Sequence, residues 1–573
     1  MRKLLIVVVL VAVVAAGVFL WRRGTPPGDV AGAGDADSPL AFVPADTPYV
    51  FANLEPIPRA VSERWMTQMN LAASLWQVQI TQAIRKIETD RPDAEELKWL
   101  RAANAELEGK SVAQVFEALG YDLQAKFAFY GIGLAPVMRL TLADPDKFRA
   151  FVARIEERGG QGLPRAKIGD LEYWNFTSPE AKVRGVVALQ GKQLVLTLSP
   201  PNDDAALRIL LGVERPAQDM RNGAALIALN KQFGYLPSAS GYLDTKRVVA
   251  QFTAAPTALE TAFLTAFGIE KPATDAVCAG EYAALASAMP RLSLGYTQLD
   301  AQRMDVVARL ETSPAIAKDL MELRAPMPGL AQVKDAPLNF GLSLRIGALP
   351  NVVGKWASAV AAAPWKCPAL AELNAGFAQS RDQLMNPAVF AAAPVFHGFH
   401  AIATRIDMKN SMAGTPDFGG KLLIGSPDPN ALIGMAKSFV PQLATMTLKP
   451  DGKVQPLPAL PNVPADLPTF VAMTPGVLGL AFGQGEDADL GEYLTSDPTQ
   501  QPLLVLGYSG ALFADFTQSM LEQAAKEQDP AQRAEQEQAA KMMAQIYAHI
   551  RRADIRVEFS ESGIEMHQSA ELN

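Results

Sequence analysis

Apolar positions recur along this chain with three distinct periods. From Leu4 to Trp21 they are continuous: 18 apolar or small residues without a charge, flanked by Arg2 and Lys3 on one side and by Arg22 and Arg23 on the other. As a helix rising about 1.5 Å per residue, that run is about 27 Å long, close to the thickness of a bilayer's hydrocarbon core. Further on the period becomes helical. Trp65, Met69, Ala72, Trp76, Ile80 and Ile84 share one face of a helix predicted over 57–91, with further helices over 93–118, 349–363 and 368–384. The stretch from Ala524 to Arg552, rich in Ala, Gln, Glu and Lys with Met543, Ile546, Tyr547 and Ile550 at helical spacing, predicts one long amphipathic helix. The third period is two. Ile555, Val557 and Phe559, then Ile564 and Met566, alternate as a half-buried antiparallel strand pair that turns near Ser562-Gly563.

The N-terminal run reads as a signal-anchor transmembrane helix over residues 1–23, bounded by Leu4 and Trp21. Trp21, Arg22 and Arg23 have the composition of an interfacial anchor. The competing reading is a cleaved signal peptide, because Val14-Ala15-Ala16 supplies small residues at a cleavage distance. The apolar run continues through Trp21, past that point, and favours the uncleaved anchor. Arg2, Lys3 and the amino terminus outweigh Arg22 and Arg23, so the positive-inside rule puts the N-terminus in the cytoplasm. In a Gram-negative cell the rest of the chain is then periplasmic and tethered to the inner membrane. Residues 24–39, GTPPGDVAGAGDADSP, have no periodic apolar face and read as a flexible linker.

Beyond the linker the chain repeats itself loosely. LAFVPADTPYVFANLEPIPRAVSERW matches LAQVKDAPLNFGLSLRIGALPNVVGKW, each a strand, a proline-marked turn and a helix start. MRLTLADPDKFRAFVARI matches GKLLIGSPDPNALIGMAKSF, in each of which a strand runs into Asp-Pro, suited to an N-cap and a first helical position. Two strand pairs, from Val183 and from Met289, match those from Pro468 and Ile550. The fold expected is α+β: two tandem related repeats, 40–312 and 335–573, with antiparallel sheets packed against helices and a proline-bearing linker over 313–334. A proline-rich excursion is expected over 450–468.

The chain has 573 residues, 49% hydrophobic and 20% charged, so it carries enough apolar material for several cores and is not a disordered tail. Its 52 basic and 60 acidic residues give a net charge of −8, which disfavours a nucleic-acid partner. The signatures of serine, zinc and phosphate-binding sites are absent from the sequence, and no catalytic, cofactor or metal residue is assigned. His397 and His400 stand three apart in what reads as a strand, where they point to opposite faces and do not chelate. The acidic pairs Asp203-Asp204 and Glu486-Asp487 stand ahead of helices, where negative charge suits the helix N-terminus. Only Cys278 and Cys367 could form a disulfide, which an oxidising periplasm favours and which would link the two repeats.

The apolar anchor, LAFVPADTPYVFANLE, the strand leading into DPDKFRAF, and QGKQLVLTLS together resemble membrane-anchored bacterial envelope proteins that carry domains of unknown function. The resemblance covers most of the exported region through short motifs. It implies an anchored α+β periplasmic protein and transfers no catalytic residue. The second half departs from it where VKDAPLNFG replaces VPADTPYVF. The expectation is a non-enzymatic binding or scaffolding module for another envelope component. The alternatives are a carrier of lipid or another apolar ligand, and a hydrolase without a recognised motif.

Overall fold

The structure is a computed structural model that describes residues 37–573, except 91, 93–95, 123, 178–181, 202, 254–256, 267–274, 334, 385–394, 408–416, 459–463 and 465–466. The expected signal-anchor helix, with Leu4, Trp21, Arg22 and Arg23, and most of the expected linker lie outside the described residues. Among the described residues, no helix is long and apolar enough to cross a membrane. The fold is α+β, with an antiparallel sheet and helices, and the chain divides into two compact units at Val306 and Val307.

The first unit contains strands β1 (Tyr49–Ala52), β2 (Phe127–Ile132), β3 (Ala135–Thr141), β4 (Arg165–Ile168), β5 (Leu171–Phe176), β6 (Arg184–Gln190), β7 (Gln193–Ser199), β8 (Ser240–Asp244) and β9 (Arg291–Leu299). Their order is β4-β5-β6-β7-β3-β2-β1-β8-β9, every neighbour antiparallel. Asp144 caps the helix Pro145–Gly159 as Asp-Pro predicts, its side chain accepting from the Asp146 and Lys147 amides. Phe148, Phe151, Val152 and Ile155 of that helix bury a face against Met138, Leu140, Leu194 and Leu196 of the sheet.

The second unit contains β10 (Arg303–Glu311), at whose middle the division falls, then β11 (Leu338–Ser343), β12 (Gly398–Asp407), β13 (Asp417–Gly425), β14 (Gln455–Pro456), β15 (Thr469–Met473), β16 (Val477–Phe482), β17 (Leu504–Ser509), β18 (Ile550–Ser560) and β19 (Gly563–Leu572). Their order is β14-β15-β16-β13-β12-β11-β17-β18-β19-β10. The run β15-β16-β13-β12-β11-β17-β18 has the connectivity of β6-β7-β3-β2-β1-β8-β9, and each pair of matched sequence segments occupies matching strands. Asp428 caps Pro429–Phe439 as Asp144 caps its helix, accepting from the Ala431 amide at 3.1 Å.

Several elements differ from the sequence reading, each for a local reason. Residues 313–334 are not a bare linker. They form the helix Pro314–Met321 and a short turn at Leu330–Gln332, with Ala317, Asp319 and Leu320 buried. Of the long helix expected over 524–552, only Pro530–Tyr547 is helical: a separate helix, Gly510–Ala524, ends where it was to begin, Pro530 disfavours the helical region for the residue before it, and Ile550–Arg552 belong to β18. The helical region after residue 93 breaks at Gly109 (φ 72°) into Glu96–Leu107 and Val112–Ala118. The second of these opens on a reciprocal cap between Ser111 and Gln114. In the proline-rich excursion, Gln455–Pro456 pairs as edge strand β14.

Cys278 and Cys367 are joined in a disulfide, and both are wholly buried. Arg139 of β3 is also fully buried. It donates to Tyr130 Oη at 3.0 Å, Gln190 Oε1 at 3.0 Å and Gln193 Oε1 at 3.2 Å, and its guanidinium lies 3.8 Å from the Phe42 ring centre. Burial pushes that guanidinium below its ordinary pKa, opposed by Tyr130. Space for it comes from Gly212, where an added Cβ would stand 2.4 Å from Arg139 Nη2 and 2.5 Å from Phe42 Cδ1, at a φ of +72°.

Two measurements check these features. Gly212→Ala adds both a collision and a left-handed strain, and is expected to lower unfolding stability by about 1–3 kcal/mol in denaturant titration. An unchanged midpoint would contradict the packing. Thiol titration of the denatured, unreduced chain should give no reactive thiol and, after reduction, the two cysteines of the sequence. Two thiols before reduction would exclude the cystine.

Candidate functional site

In the second unit the antiparallel registers sort side chains onto two chemically different faces. Phe399, Leu342 and Leu504 lie in register across β12, β11 and β17, as do Ala401, Phe340 and Leu506. Ile555 and Val557 of β18 continue these rows, and Met566 of β19 lies opposite Val557. With side chains alternating along each strand, all of these share one face. That face is covered at both ends. Tyr508 packs on Phe513 and Tyr547 of the two long helices, with ring centres 5.1 and 6.1 Å away. At the other end Phe559 packs against Leu320, Leu323 and Val352. Between those ends Phe340, Leu342 and Met566 are exposed, at 41%, 39% and 37%, while Phe399, Leu504, Leu506, Ile555 and Val557 are half-buried. Such a contiguous apolar surface is the usual mark of a contact site rather than of a solvated sheet.

The opposite face carries the buried polar groups. His400 of β12 is fully buried, its Nδ1 2.8 Å from the Pro328 carbonyl and its Nε2 3.3 Å from the Asn339 amide oxygen. Gly341 lies directly across in β11, where a Cβ would come within 3.0 Å of the ring. Burial pushes His400 down to about 4, against the contact with Pro328, so the ring is neutral and Nδ1–H is the donor. His397, half-buried just before the strand, is lowered by burial and by Arg345. The two histidines do not meet around a common centre. His400 is in an interior strand between β11 and β13.

Lys421 of β13 is equally enclosed, its side chain 1% exposed, with Nζ 2.6 Å from Glu486 Oε2, 3.0 Å from Asp489 Oδ1 and 4.5 Å from the Tyr493 ring centre. A bulge between Ala403 and Arg405 marks the position of Thr404, whose hydroxyl donates to Glu486 Oε1 at 2.7 Å. Desolvation opposes the ammonium, but Glu486 and Asp489 outweigh it and hold Lys421 above its ordinary pKa. Glu486 is therefore not the helix-start acid its neighbours suggested. It is the partner of a buried cation. Asp203 does act at a helix start, accepting from the Ala206 amide at 2.9 Å. The geometry of Lys421 is that of a closed ion cluster, charged and saturated, with no lone pair offered as a base.

A third polar cluster lies on the terminal hairpin. His567 Nε2 is 3.1 Å from Glu558 Oε1 and 3.2 Å from Glu565 Oε2, and Arg309 Nε is 3.2 Å from Glu565 Oε2. Contact with Glu558 first and Glu565 second, opposed by desolvation, raises His567 to about 9. Against desolvation, His567, Ser560, Arg309 and Ser562 hold Glu565 down to about 2. Sequence reading assigned none of these residues. The signal was present in the predicted hairpin, since fixing Ile555, Val557, Ile564 and Met566 on one face puts Glu558, Glu565 and His567 on the other.

His400 gives this face a pH signature with a definite sign. As pH falls below about 6.5 the unfolded imidazole takes up a proton that the folded one refuses until about 4, so the unfolded state gains protons first. The contribution is complete above pH 6.5 and is lost by about 3 kcal/mol as pH falls to 4. Denaturant midpoints of the wild type and His400→Gln, measured between pH 5 and 7, should converge as pH is lowered. A constant difference would show that the buried ring does not resist protonation. No protein-family model matches the chain, and neither curated proteins nor solved structures contain a match to it.

Proposed function

We propose that this chain is a non-catalytic envelope protein, held at the inner membrane by its N-terminal apolar run, whose second unit binds an apolar surface of another envelope protein. The observation that carries the reading is the exposure of Phe340, Leu342 and Met566 on one sheet face between two helix-covered ends. Packing of a partner there removes apolar area worth about 25 cal/mol per Å², without burying the charged groups of the opposite face. The polar clusters fit a structural role, since Lys421 and His567 each lie against carboxylates and His400 is held neutral.

A protein is favoured over the bilayer as the occupant. The chain carries a net charge of −8, and an anionic lipid surface repels such a chain where a basic segment would be drawn in. The carrier reading draws on the same apolar face. A cavity bounded by Met327, Leu330, Thr495 and Gln500 holds about 170 Å³, below the several hundred Å³ typical of small-molecule pockets, and is too small to enclose such a ligand.

The test places a photo-crosslinking phenylalanine analogue at Phe340 in the full chain in its native membrane, with a control at the exposed Arg556 on the other face. The expected outcome is a discrete protein adduct from position 340, absent from position 556 and lost when Met566→Asp is added to a chain that still folds. Adducts to lipid alone would favour the carrier. Equal labelling from both positions would refute a binding face.

A further inference from the structure

The terminal hairpin carries a donor set that the binding function does not use. Glu558 of β18 and Glu565 of β19 lie directly opposite each other, and His567 follows Glu565 on the same face of the strand. Two carboxylates opposed across a strand pair repel unless a cation sits with them, a part that Arg309 and His567 take here. Here their donor atoms and His567 Nε2 all lie within 4.8 Å of one another.

We propose that Glu558, Glu565 and His567 form a binding site for a divalent transition-metal ion of the zinc class. Three observations favour it. First, tetrahedral zinc with bonds of about 2.0–2.1 Å holds neighbouring donor atoms about 3.3 Å apart. The separations here, 3.1 Å from His567 Nε2 to Glu558 Oε1 and 3.2 Å to Glu565 Oε2, already approach that edge length. Second, His567 Nε2 reaches both carboxylates at once, 3.1 Å from Glu558 Oε1 and 3.2 Å from Glu565 Oε2. The ring nitrogen is therefore shared between two carboxylates, as the three donors of one metal centre would be.

Third, the carboxylate is oriented from behind. Ser562 Oγ donates to Glu565 Oε1 at 3.0 Å and Arg309 Nε lies 3.2 Å from Oε2, the outer support that metal-binding carboxylates use. An oxygen has a second lone pair, so Arg309 and a metal can share Oε2. Side-chain exposures of 35% for His567 and 26% for Glu558 place the cluster at the protein surface, and an ion there would take water as a fourth ligand. Imidazole with two carboxylates suits zinc and its neighbours better than magnesium, which prefers all-oxygen shells. On binding, the Nε2–H bond breaks, its proton passes to solvent, and the Nε2–metal bond replaces it. The charge of the cluster, including Arg309 and exposed Arg556 two residues from Glu558, then rises by one.

The test is calorimetric titration of the detergent-extracted full chain with zinc chloride in a non-chelating buffer, repeated with His567→Gln and Glu558→Gln. One zinc per chain is expected, with affinity at least about tenfold weaker in each variant while circular dichroism is unchanged. No uptake by the wild type, or uptake unaltered in a folded His567→Gln chain, would overturn the site. Should a variant fail to fold, X-ray absorption of the zinc-loaded wild type decides instead: one imidazole with oxygen neighbours supports the site, and a shell without imidazole refutes it.

Discussion

Antiparallel register is the constraint on which this structure depends. Because side chains alternate strictly along a strand, fixing one cross-strand pair fixes the face of every residue in both strands, and a slip of one residue would exchange the two faces completely. In the second unit the pairs Phe340 with Leu506 and Gly341 with His400 do this for the central strands. They send Phe340, Leu342, Phe399, Leu504 and Leu506 one way, and His400, Asn339 and Lys421 the other. One face is left partly open to contact. The other encloses polar groups whose net charge had to be balanced locally.

The two units solve that balance differently. The matching strands β3 and β13 each carry a buried cation, Arg139 and Lys421, among the buried cations of their units. Arg139 is met by the hydroxyl of Tyr130, two glutamine oxygens and the face of Phe42, neutral dipoles and a ring quadrupole. Lys421 is met by Glu486 and Asp489. A buried ion pair gains little over apolar packing, but removing one partner leaves an uncompensated charge costing about 3–5 kcal/mol. The two arrangements are therefore each locked to their own partners, and a shared strand order does not imply a shared site.

Much of the fold was legible in the sequence wherever local chemistry decided it. Asp144-Pro145 and Asp428-Pro429 start helices, and Ser562-Gly563 turns the last hairpin, because capping and turn geometry are set by neighbours in the chain. The helix break before Pro530 was legible too, from the proline rule, but was masked by the regular Ala and Gln composition on either side of it. What could not be read was convergence. Glu486 lies 65 residues from Lys421, and nothing in its neighbourhood distinguishes it from a helix-start acid. Glu558 and His567 were closer to legible, because the hairpin alternation that placed the apolar residues also determined the face of the acids.

The account's central claim is that the apolar face is covered in the cell and bare when the protein is isolated. Hydroxyl-radical footprinting of the full chain, in native membranes and after purification, measures this at the side chains concerned. Phe340 and Met566 should be protected in the membrane and oxidised readily once purified, with Arg556 on the opposite face unchanged. Equal oxidation of Phe340 and Met566 in both preparations would mean that nothing occupies the face.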